Sequence, residues 1–193
     1  MVKAPEPPAP TSDYLALVRA PTTQLAKLMA RGETPDIAAL VGWEWRGTNL
    51  PATSRLLGLR RFIKGFVRVG EHAGPFQAEG YNVTVPGHDL ATPWTDSRRR
   101  DGRREWARFT VARVDPGAVD NRFLDALLID YSTPADSERG LPRLLRDYLI
   151  RVVPGSDALL LGQAFFALGD RRIPVGWFAL EPLRAINTPP FTS

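Results

Sequence analysis

The chain has 193 residues, 44% of them apolar and 24% charged, with a net charge of +4 and no cysteine. That composition suits one globular domain with a sizeable core, and it excludes disulfides, thiolate nucleophiles and thiolate metal sites. His72 and His88 are the only histidines, both in Gly/Pro-rich stretches, so no metal site is expected. The basic side chains are 22 Arg against Lys3, Lys27 and Lys64, and a bias spread along the whole chain does not by itself imply a polyanionic partner.

Residues 1–11 read as a disordered tail, because Pro5, Pro7, Pro8 and Pro10 favour an extended, solvated chain. The tail lacks the basic start and apolar core of a secretory signal, and the longest apolar run, Ala158 to Leu168, is too short for a transmembrane segment. A soluble, cytoplasmic protein is expected. Ser12 or Asp13 is placed to cap a first helix carrying Tyr14, Leu15, Leu17 and Val18, which Pro21 interrupts. A second helix is predicted from Thr22 to Arg31, with Leu25, Leu28 and Met29 on one stripe and Gly32 at its end. In a third, Thr34 serves as cap, Pro35 as first helical residue and Gly42 as stop.

From Trp43 onward the pattern changes to short apolar-aromatic runs: Trp43 to Trp45, Phe62 to Val69, Tyr81 to Val85, Phe109 to Val114, Leu127 to Tyr131, Tyr148 to Val153, Leu159 to Leu168 and Val175 to Leu180. Almost every gap holds Gly or Pro, as in Pro86-Gly87, Asp115-Pro116-Gly117, Pro154-Gly155 and Gly169-Asp170, which is the punctuation of an antiparallel meander. Arg55 to Val69 also has helical spacing on a basic face. Gly58 and Gly65, and the alternation of Phe62, Lys64, Phe66 and Arg68 with Ile63, Gly65, Val67 and Val69, favour a short turn at Ser54 to Leu57 followed by a strand. The predicted fold class is mainly β: an antiparallel barrel of about eight strands with short N-terminal helices. One domain covers residues 12–193, with helices in 12–42 and the barrel in 43–184; the alternative is a two-sheet sandwich.

Gly42-Trp43-Glu44-Trp45-Arg46-Gly47, opening the first strand after a short helix, resembles the Gly/Trp entry of calycin and lipocalin-like barrels, especially bacterial proteins defined by a G-x-W-x-G motif. Leu128-Ile129-Asp130-Tyr131, Leu160-Leu161-Gly162 and Trp177 to Glu181 are similar in order to the end of those chains. The spacing here, Gly42-x-x-Trp45-x-Gly47, is one residue longer than the motif. The resemblance implies a calycin-like barrel in which a first-strand Trp closes one end beneath a late basic side chain, a part Arg184 would play against Trp43 or Trp45. Haem binding in such barrels uses a late histidine; none follows His88, so no cofactor is expected.

Asp130-Tyr131 and Asp147-Tyr148 fall inside predicted strands, where a carboxylate needs a cation or donor, and Arg146 and Arg151 are the nearest candidates. The candidate catalytic residues are Asp130, Asp147, Tyr148 and His88, the last beside Asp89. The candidate ligand-lining residues are Trp45, Tyr81, Tyr131, Arg146, Tyr148, Gln163 and Trp177, a largely apolar set with a few directed polar groups. The leading expectation is binding of one small hydrophobic molecule in the barrel. A second is a cyclase or isomerase that orders an apolar substrate, polyketide- or terpenoid-like, and moves a proton. A third is an interaction protein using the arginines of 98–104; that loop reads as a solvated hairpin tip at Asp101-Gly102, without specific nucleic-acid affinity.

Overall fold

The computed structural model describes residues 8–50, 58–68, 77–95, 105–133 and 140–186. The predicted turn at Ser54 to Leu57, the arginine loop of 98–104, His72 and the first seven residues of the tail lie outside them.

Helix α1 (Ser12–Arg19) is capped by Thr11, one residue before the expected Ser12 or Asp13. Thr11 takes the position because it is anchored twice: its hydroxyl accepts from the Tyr14 amide at 3.2 Å and donates to Glu181 at 2.7 Å. Helix α2 (Thr22–Met29) turns Leu25 and Met29 inward. Helix α3 is the single turn Ile37–Leu40, capped by Asp36 rather than Thr34. The start moves because Glu33 is drawn into a bridge with Arg151, whose amide donates to the Glu33 carbonyl at 2.9 Å, and this holds the chain extended through Thr34. Gly42, at φ +86°, supplies the left-handed step that ends the turn and starts the first strand.

Eight strands follow: β1 (Trp43–Asn49), β2 (Arg61–Val67), β3 (Ala78–Val85), β4 (Glu105–Arg113), β5 (Leu127–Asp130), β6 (Leu145–Val153), β7 (Ser156–Leu168) and β8 (Arg171–Ala185). Each pairs antiparallel with the next, and β8 returns to pair with β1, from Trp43 opposite Ala185 to Asn49 opposite Phe178. The sheet is thus a closed barrel, which excludes the sandwich. Among the described residues no helix is long and apolar enough to cross a membrane.

Alternation along the strands separates an inner face from an outer one. The inner face holds Trp45, Phe62, Phe66, Phe109, Ile129, Leu149, Leu160, Phe178 and Leu180, and Leu40 of α3 closes one end beneath Trp45. Outside, α1 and α2 lie on β6 to β8, where Tyr14, Leu17 and Leu25 meet Tyr148, Ile150, Leu161 and Trp177. A third cluster sets Trp94 and Leu183 against Ile63, Val67, Tyr81 and Val83 on the outside of β2 and β3. The end of the tail is held to this wall, the Arg46 guanidinium donating to the Pro8 carbonyl.

Four cross-strand pairs join a glycine to an aromatic ring: Gly47 with Phe62, Gly65 with Tyr81, Gly80 with Phe109 and Gly162 with Phe178. In each the ring occupies the space a side chain would fill, a Cβ on Gly162 coming within 2.0 Å of Phe178. This is aromatic rescue of strand glycines, and in three of the pairs it turns the ring toward the barrel axis. Gly162→Ala is therefore expected to lose about 2 kcal/mol of stability in chemical denaturation, an overpacking cost, and Phe178→Leu in the same chain should recover part of it. Strict additivity of the two losses would refute the pairing argument.

Candidate functional site

On β2 the aromatic alternation continues through Lys64, so its side chain enters the barrel between those of Phe62 and Phe66. It is buried completely, with its ammonium 4.4 Å from the centre of the Phe109 ring, 5.1 Å from Tyr131 and 5.5 Å from Phe178. Such ring faces attract a cation. Its protons are directed by groups on β3, just after β5 and on β6: Nζ donates to Asn82 Oδ1 at 3.0 Å and to the Tyr131 hydroxyl at 2.6 Å, and lies 3.6 Å from Asp147 Oδ2. Tyr131 in turn donates to Asp147 at 2.8 Å. The chain of donors thus ends on a carboxylate.

Asn82 is oriented by an irregularity. Between Gly80 and Asn82 the β3–β4 register slips, leaving an extra residue on β4, and Ala107 there has φ +43°. This conformation is uncommon for any residue with a Cβ. It turns the Ala107 carbonyl to accept from Asn82 Nδ2 at 3.0 Å, which leaves the Asn82 oxygen facing Lys64. A strained backbone at a bulge is a common accompaniment of functional sites.

The cluster forms the floor of a cavity of about 60 Å³ at the barrel end opposite α3, walled by Leu59, Phe62, Trp106, Leu145 and Phe178. A buried water needs roughly 10–15 Å³ by this measure, so the space admits a few waters or a functional group, not a whole ligand of ordinary size. A larger groove of about 680 Å³ lies on the outside of the barrel, between α1 and residues 88–91.

Burial lowers the Lys64 ammonium to about 8, with Asp147 opposing the shift. Burial also raises Asp147, Lys64 pulling it back, while burial and then the Asp147 charge hold Tyr131 well above the usual phenol range. Each charged form is thus penalised by loss of water and partly restored by its neighbours.

Of the residues proposed from sequence, Asp147, Tyr131 and Trp45 face inward. Asp147 and Tyr131 meet at the site, while Trp45 stands at the closed end and reaches the Leu40 carbonyl at 3.5 Å. The rest lie outside, because inward positions on β6 are Leu145, Asp147 and Leu149, which sends Arg146 and Tyr148 the other way. Arg146 spans Asp130 at 3.1 Å and Asp120 at 3.2 Å, so the cation expected to meet a strand carboxylate meets Asp130 on the outer wall, while Lys64 meets Asp147 within. Tyr148 packs edge-on to Phe123 and Phe165; Gln163 lies opposite it and Trp177 joins the same outer cluster. Tyr81 donates to Glu44 at 2.8 Å outside β2 and β3. Exposed His88 lines the outer groove, and the Asp89 carboxylate accepts from the Ala91 amide. Arg184 pairs with Glu44 at 2.6 Å, on the opposite face from Trp45.

Neither Lys64 nor Asn82 is among the candidate site residues read from the sequence. The signal that marks Lys64 is its place between Phe62 and Phe66 at period two, a cation on an otherwise aromatic face. Asn82 reads from the sequence only as a polar strand residue expected to complete a core hydrogen bond.

The class these observations define is a closed eight-stranded antiparallel barrel, consistent with a calycin-like fold, carrying a buried Lys-Tyr-Asp cluster near one end. No family model, no curated protein and no solved structure matches the chain, so the motif resemblance at Gly42 to Gly47 gains no support from relatives. Among the described residues there is no group of three or more His, Asp or Glu arranged to hold a metal.

The Lys64 shift has a measurable consequence. Between its native value near 8 and its ordinary 10.5, the unfolded chain binds more protons than the native one, so stability rises with pH through that window. From pH 8 to pH 10 the gain is about 2 kcal/mol. Urea denaturation across this range should show it, and a flat or falling profile would contradict the buried ammonium.

Proposed function

We propose that the protein binds a small, mostly apolar molecule at the open end of its barrel, with one polar head against Lys64. The observation that supports this is the contrast between the cavity's floor and its walls. The floor is a hydrogen-bonded set of Lys64, Asn82, Tyr131 and Asp147, and the walls are apolar apart from Asn49, whose amide donates to the Leu59 carbonyl at 2.8 Å. Burying two ionisable partners costs several kcal/mol per ion, and apolar residues of similar volume commonly serve stability as well or better. A perturbed, charge-paired cluster beside a cavity is therefore a good candidate for a site. The cavity volume limits what enters to the head group, so the body of the ligand rests on Leu59, Trp106 and Leu145.

The enzymatic reading, a cyclase or isomerase, draws on one further observation: an amine near 8, hydrogen-bonded to a phenol that is itself hydrogen-bonded to a carboxylate, is suited to proton transfer close to neutral pH.

Isothermal titration with 1-hexanol tests the site. A single saturable event is expected in the millimolar range, about −4 kcal/mol. The double variant Lys64→Met/Asp147→Leu, which removes both charges together, should weaken it about tenfold, or 1.4 kcal/mol. Binding unaffected by that change, or none at all, counts against the proposal.

A further inference from the structure

The cation set among the barrel's aromatic rings is a lysine, in a chain that otherwise uses arginine almost throughout. The difference is chemical: a guanidinium keeps its proton in proteins, whereas an amine can lose it and then attack an electrophile. The surroundings of Lys64 suit that use. A hydroxyl lies 2.6 Å from Nζ, a carboxylate oxygen 2.8 Å beyond it, and the cavity reaches all three.

We propose that Lys64 captures a small aldehyde or ketone as an imine, with Tyr131 relaying the proton and Asp147 balancing the charge of the iminium; this rests on the binding site described above. Lys64 passes one proton through Tyr131 to Asp147, and the neutral amine then attacks the carbonyl carbon, forming a C–N bond while the carbonyl π pair moves to oxygen. The proton released from Nζ passes through Tyr131 and Asp147 to that oxygen, giving a carbinolamine. The proton that Lys64 gave up in becoming neutral, held on Asp147, then passes to the hydroxyl, which leaves as water while the nitrogen lone pair closes the C=N bond. The net change is one carbonyl compound plus the Lys64 ammonium giving one protonated imine plus water, with Asp147 a carboxylate again and no oxidant or reductant. The protonated imine then occupies the place of the ammonium, among the same rings and beside the Asp147 carboxylate.

Geometry favours a carbonyl over other electrophiles. The cavity holds about 60 Å³, enough for a carbonyl group and its first carbons, and Asn82 and Tyr131 flank the nitrogen so that approach comes from the open end. Among the described residues, the titratable groups facing Lys64 are Tyr131, just after β5, and Asp147 from β6. β2 itself presents Phe62, and other strands present Trp45, Asn82, Phe109 and Phe178.

The full-length protein is incubated with hexanal and cyanoborohydride near pH 8, and the alkylated lysines are located by peptide mass spectrometry. Lys27, exposed on α2, is the internal reference. Lys64 should be alkylated about tenfold or more faster than Lys27, and Tyr131→Phe, verified as folded by near-ultraviolet circular dichroism, should slow Lys64 by about tenfold without changing Lys27. Labelling of Lys64 no faster than Lys27 overturns the proposal, as does an unchanged rate in Tyr131→Phe. Hexanol binding with an unlabelled Lys64 removes the imine and leaves the binding site standing; failure of both probes removes both.

Discussion

The interior of an eight-stranded barrel is only wide enough for its own side chains, and the placement of aromatic rings against strand glycines decides how that space is divided. Gly47, Gly80 and Gly162 give up their side-chain volume to Phe62, Phe109 and Phe178, and the same three rings stand around the Lys64 ammonium. Packing and chemistry are therefore one arrangement. The rings fill what the glycines vacate, and their faces offer a buried cation part of what water would have given it.

The rest of that compensation comes from the directed partners. Asn82, Tyr131 and Asp147 reach Lys64 from β3, from the residue after β5 and from β6, so the set assembles only once the sheet has curled far enough to bring β6 across from β2. The outer wall treats its charges differently. Arg61 is equally hidden, yet it donates to the carbonyls of Pro86, Thr92 and Pro93 and lies 4.6 Å from the Trp94 ring, pinning the segment after β3 to the barrel. Arginine, with five fixed donors, suits that stapling. Inside, among the aromatic faces, the buried cation is a lysine.

The strands were legible because turn residues punctuate them: each of the eight apolar runs contains or overlaps one strand, and closure follows from their number and order. Helix caps were legible only to within a residue or two, since Thr11 and Asp36 win their positions through tertiary contacts with Glu181 and through the Glu33–Arg151 bridge. The site was legible in part. Asp147 and Tyr131 follow from the rule that a strand carboxylate needs a partner, but Tyr81, Arg146, Tyr148, Gln163 and Trp177 show that an aromatic or polar residue in a strand has two faces to choose from. Here α1 and α2 give the outer face of β6 to β8 a core of its own, so burial alone no longer points inward. The Ala107 bulge, which aims Asn82, left no trace in composition.

The seam between β1 and β8 is bound by two ion pairs, Arg46 with Glu181 and Glu44 with Arg184, and Thr11 at the head of α1 adds its hydroxyl to Glu181. Glu44 and Arg184 are 140 residues apart. Contacts this distant demand loop-closure entropy before they return any stabilisation, and chains dominated by them fold slowly. On the ribosome, β1 is made early and must wait, with one edge unpaired, until the last strand has emerged. Helix α1, lying across both strands, then acts as a clasp fastened at the end of folding, and loss of that clasp would lengthen the interval in which an open sheet is exposed to its neighbours.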